Sequence, residues 1–126
     1  MEPKVVKKDI EKEFYIEERC FIIDSSDPSD KIMSIALARV EPGVTTAFHY
    51  LDGIDERYLV ISGNGRTEIG DMEPQDVKSG DIVYIPAGIK QRIANTGPDD
   101  LLFYCICTPP FEEKRYHNWN EKENRV

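Results

Sequence analysis

Two stretches decide how this chain folds: GVTTAFHYLDGIDERYLVISG, residues 43–63, and GDIVYIPAGIKQRIAN, residues 80–95. Each opens on a glycine that closes a turn, Glu41-Pro-Gly43 in the first and Lys78-Ser-Gly80-Asp81 in the second. Each then runs into short segments of β-branched and aromatic residues with no helical periodicity, the pattern of strands bounded by turns. Gly63 and Gly65 bracket Asn64, which predicts a tight hairpin whose central residues need positive φ. Pro86-Ala-Gly88 fixes a bend that ends one strand and starts the next.

Outward from these stretches the same texture continues. Strands are expected over 14–23, 32–40, 45–51, 57–62, 66–69, 81–85, 90–94 and 101–107, with a loop over 24–30. Their even spacing indicates an all-β sandwich or barrel built from two similar halves. At 126 residues the chain fits one domain, residues 1–126. Residues 1–12 read as an arm or edge strand, and 109–126 as a tail, either a short helix or packed, that frays beyond Asn120.

Composition excludes several classes of function. Sixteen basic against twenty-four acidic residues give a net charge of −8, which repels phosphate backbones and anionic lipid. Nucleic acid and membrane are therefore not expected partners. No apolar run approaches the roughly 20 residues of a membrane span, and no apolar stretch follows the basic N-terminal residues. A cytoplasmic location is expected. Cys20, Cys105 and Cys107 are odd in number and lack CxxC spacing, which argues against a zinc finger or a disulfide scaffold. Cys105 and Cys107 share a strand face and read as small core residues.

The two stretches resemble the paired blocks of the cupins, G-x(5)-H-x-H-x(3,4)-E-x(6)-G and G-x(5)-P-x-G-x(2)-H-x(3)-N. Gly43, His49, Glu56 and Gly63 fall at the spacings of the first block; Gly80, Pro86, Gly88 and Asn95 fall at those of the second. The resemblance implies an all-β fold of double-stranded β-helix or jelly-roll type. It also implies a metal site in the barrel, but Leu51 and Gln91 stand where the family has its second and third histidines.

Strand alternation places His49 with Leu51, Glu56 with Tyr58, and Gln91 with Ile93 on inward faces, making a partly apolar pocket with a few converging polar groups. Three functions are open. His49, Glu56 and Gln91 form an N,O,O set for a divalent ion, Mn, Fe, Zn or Ni, acting as Lewis acid in an isomerase, lyase or dioxygenase on a small molecule. Without metal, a half-desolvated Glu56 would be a general base, with Gln91 or Tyr58 stabilising an oxyanion. A ligand-binding or sensor barrel is the third. His117 reads as exposed, unless the tail folds over the barrel mouth. Exposed sheet edges predict a homodimer, with Phe14, Ile16, Phe21 and Ile23 as apolar contact material.

Overall fold

The computed structural model describes residues 1–120. Eleven strands follow in chain order: β1 Phe14–Ile16, β2 Cys20–Asp24, β3 Ser34–Val40, β4 His49–Leu51, β5 Asp55–Ser62, β6 Asn64–Ile69, β7 Gln75–Lys78, β8 Ile82–Ile85, β9 Gln91–Asn95, β10 Leu101–Thr108 and β11 Tyr116–Asn118. Helix is confined, among the described residues, to single 3₁₀ turns at Ile10–Lys12 and Glu113–Arg115. The strands form two antiparallel sheets, ordered β1-β2-β3-β10-β5-β8 and β11-β4-β9-β6-β7. This is the double-stranded β-helix expected from the two stretches. Its core lies between the sheets, where Val40, Tyr58, Val60, Ile85, Ile93, Leu101 and Phe103 are each at most 2% exposed. The rings of Tyr58 and Phe103 pack with centroids 4.5 Å apart. No helix among the described residues is long and apolar enough to cross a membrane.

Three local expectations are corrected, and one strand is added. The segment Gly63-Asn-Gly65 is no hairpin, because β5 pairs with β10 and β8 while β6 pairs with β9 and β7. It is the corner by which the chain leaves one sheet for the other. Gly63 has φ +89°, and a Cβ there would meet the Asp100 carbonyl oxygen at 2.7 Å, so the corner admits glycine alone. The expected strand 14–23 is split by a turn at 17–19, where Arg19 adopts φ 71°. Strand 45–51 is regular only from His49, with Thr45 making an isolated bridge to Ala94. The short β7, a polar edge strand, carries too little apolar pattern to be read from sequence.

The tail returns as β11 and pairs with β4, matching Tyr116 to Leu51 and Asn118 to His49. The expected fraying beyond Asn120 lies outside the described residues. Asn95, the last residue of the second stretch, is 4% exposed. Its amide donates to the carbonyls of Val40 and Asp99, both at 2.8 Å, and its oxygen accepts from Gly97 N–H at 2.9 Å. It is a clip between strands, which explains why an asparagine is needed there.

Candidate active site

The register of the larger sheet determines which side chains share its inner face. One row across it contains Asp24, Ala36, Cys105 and Tyr58; the next contains Ser34, Cys107, Glu56 and Ile85. Beside these rows lies a cavity of about 440 Å³ bounded also by β1, the turn after it and the C-terminal segment. Its lining includes Glu56 and Glu18, while His49, Leu51, Tyr58, Gln91 and Ile93 do not line it. Those five are buried at 3% exposure or less and fill the barrel behind it.

Glu56 is 8% exposed and anchors this site. Its Oε2 lies 3.5 Å from the Cys107 thiol, but its Oε1 is buried without a hydrogen-bond partner. Burial, with the nearby Glu18 charge, pushes the Glu56 carboxyl up to about 7, against the lowering effects of His49, Gln91 and Cys107. Glu18 is pushed up to about 7 as well, by burial, with a small opposing effect from Cys20. Two acids with near-neutral pKa thus face one cavity. The same surroundings push the thiols of Cys20, Cys105 and Cys107 well above their ordinary range, which disfavours the thiolate form of each.

Behind the carboxyls stands a chain of hydrogen bonds. His49 Nδ1 lies 2.7 Å from the Ala47 carbonyl, a contact that requires the proton on Nδ1. Its Nε2 lies 3.1 Å from Glu18 Oε1. Burial holds the imidazole below its usual range. A neutral His49 therefore presents Nε2 as acceptor to Glu18 whenever that carboxyl carries its proton. The Tyr116 ring stacks on the imidazole with centroids 4.9 Å apart and closes it from above. On the other side, Tyr58 donates its hydroxyl to Gln91 Oε1 at 2.5 Å, which fixes the amide.

The structure brings His49, Glu56 and Gln91 together: His49 and Gln91 are paired residues of β4 and β9, and Gln91 lies beside Glu56. A metal would need a free donor atom from each, turned to one point. Both ring nitrogens of His49 and the amide oxygen of Gln91 are already engaged with protein partners. Leu51 fills the place of a further donor. Among the described residues, no group of three or more His, Cys, Asp or Glu side chains is arranged to hold an ion. The donor set as arranged does not fit, and no chemical step below runs through a metal.

Glu18 and Tyr116 escape the sequence reading. Alternation through Phe14, Ile16 and Cys20 is the signal that points Glu18 inward, but the charged run Glu17-Glu18-Arg19 reads as a turn. Tyr116 carries no local signal, because only the pairing of β11 with β4 brings it over His49. His117, one residue on, is exposed and stacks on Tyr50 at 5.1 Å on the outer face. Of the apolar residues assigned to a dimer contact, Ile23 is 3% exposed and Phe21 lies under the Arg39 guanidinium at 4.1 Å. Phe14 and Ile16 line the cavity.

Fold and site define a small single-barrel protein of the double-stranded β-helix kind, with a carboxylate pocket against one sheet. The chain belongs to the cupins: the cupin domain model matches residues 36–107, more than half of it. An uncharacterized protein of Methanocaldococcus jannaschii is 33% identical over 81 residues, 64% of each chain. Oxalate decarboxylase of Bacillus subtilis is 28% identical over 90 residues, which cover 68% of this chain but 23% of that enzyme. The chain thus spans less than two thirds of the length of these two relatives. Among solved structures, a predicted oxalate decarboxylase of Thermotoga maritima superposes with TM-score 0.75 at 21% identity, covering 84% of this chain and 99% of that one. The nucleoside dehydratase Pac13 superposes with TM-score 0.74 at 14% identity, covering 93% and 92%.

Proposed function

We propose that this cupin is a small-molecule enzyme of the lyase or isomerase kind that works by proton transfer between paired carboxyls. The observation that carries this reading is Glu56, buried yet unpartnered at Oε1, on the wall of a cavity it shares with Glu18. A buried carboxyl oxygen left without a hydrogen bond is costly unless a ligand completes it. Glu56 as carboxylate takes a proton from the substrate; Glu18, protonated against His49, gives one to the departing or rearranging oxygen. Near-neutral pKa values suit both roles, since each group then exchanges protons readily at working pH. Tyr58 and Gln91 do not reach the cavity and act as positioning residues for Glu56. The names of two similar proteins, a decarboxylase and a dehydratase, both denote lyases and support the class.

Glu56→Gln keeps shape and removes the base, so kcat should fall by about 10²–10⁴-fold, with substrate still bound. Full turnover by that variant would sink the proposal. Metal analysis of protein purified without a nickel column tests the competing Lewis-acid reading. Stoichiometric Mn, Fe, Zn or Ni, lost in His49→Ala, would replace acid–base chemistry by metal chemistry at the same barrel.

A further inference from the structure

We propose that this cavity, read as above as the reaction site, selects a small organic cation with an apolar body, such as a protonated amine, and rejects anions. Five carboxyls line it, those of Glu17, Glu18, Asp24, Glu56 and Glu113. No Lys, Arg or His is among the described residues of the lining. Of the neighbouring bases, Lys114 and Arg115 pair with Glu112 at 3.2 and 3.5 Å, Arg19 donates to the Thr45 carbonyl at 3.5 Å, and His49 stands behind Glu18 at 3.1 Å. A carboxylate or phosphate ligand would meet like charge there, screened least beside the buried Glu56.

The unpartnered Glu56 Oε1 makes this more than a cluster of acids. That atom is buried and belongs to a residue, 8% exposed, that lines the cavity, and it lacks the donor that an ammonium N–H would supply. The other walls are aromatic and aliphatic, with Phe14, Phe111, Tyr116 and Ile22 around the same space. Aromatic faces beside carboxylates suit a cation with an apolar body better than a polyhydroxylated or anionic one. The oxalate of the decarboxylase relatives is the opposite of what this lining accepts.

Titration calorimetry at pH 8 and low salt with three probes of similar shape, benzylammonium, benzyl alcohol and benzoate, tests the inference. Benzylammonium is expected to bind at least about tenfold more tightly than benzyl alcohol, a difference one charge-assisted hydrogen bond can supply, and benzoate not to bind. Glu56→Gln and Glu18→Gln should each reduce the cation's advantage, whereas Asp76→Asn, outside the cavity, should preserve it. Failure of benzylammonium to bind, benzoate binding as well as the cation, or a preference that survives both glutamine variants would each overturn it. Turnover that depends on Glu56 but uses an anionic substrate would also overturn it, leaving the acid–base reading intact. Cation binding in a protein that catalyses nothing would leave the selectivity standing and retire the catalytic reading.

Discussion

Glu56 shows what a cupin barrel gains and loses by keeping its carboxyl when Leu51 and Gln91 replace two of its imidazoles. Burial and the Glu18 charge push Glu56 up to about 7 from an ordinary 4.5, so the folded state holds its proton more tightly than the unfolded chain. Its effect on stability therefore has one sign. The folded state is least penalised below pH 4.5, and stability falls as pH rises from there through 7. The separation corresponds to roughly 3 kcal/mol at full ionisation. Urea titrations at pH 5 and pH 8 should show this loss in the wild type and a smaller one in Glu56→Gln. Equal pH dependence in both proteins would mean that Glu56 is not the group responsible. Such a cost at a residue with one carboxyl oxygen left unpartnered is what a site reserved for a ligand looks like.

At the scale of elements, two features hold the site in place. The corner at Gly63 carries the chain from β5, which bears Glu56 and Tyr58, to β6, which supports β9 and Gln91. Gly63→Ala combines a positive φ with a 2.7 Å approach to the Asp100 carbonyl, so the corner must open. A loss of about 2–4 kcal/mol is expected by chemical denaturation, and a loss under ~0.5 kcal/mol would show that the corner is soft. The second feature is β11, whose Tyr116 covers His49 and packs with Leu51, Ile54 and Cys107. Tyr116→Ala should cost about 1–3 kcal/mol of stability, since the residue is half-buried. It also removes one aromatic wall of the cavity, so benzylammonium binding should weaken in the same variant.

For the whole molecule, the larger sheet ends on β1 at one side, and there Phe14 and Tyr15 are 50% and 58% exposed. An apolar edge strand of this kind offers material for association, and we propose a homodimer through it. Light scattering should return twice the chain mass of 14.5 kDa, and a monomer at micromolar concentration would refute the expectation. Because Phe14 also lines the cavity, such a dimer would shape its mouth. The sequence by itself determined the barrel: glycines, proline and asparagine fall at the spacings of the cupin blocks, and the turns between its strands are local properties of the backbone. It also determined that His49, Glu56, Tyr58 and Gln91 face inward, because strand alternation is local too. Only tertiary structure decided that His49 and Gln91 fill the barrel while Glu56 opens on a cavity. The turn at 17–19 swings Glu18 against His49, and the returning tail seats Tyr116 above it. Those partners come from strands far apart in the chain, and no periodicity in one segment encodes what another segment will bring against it.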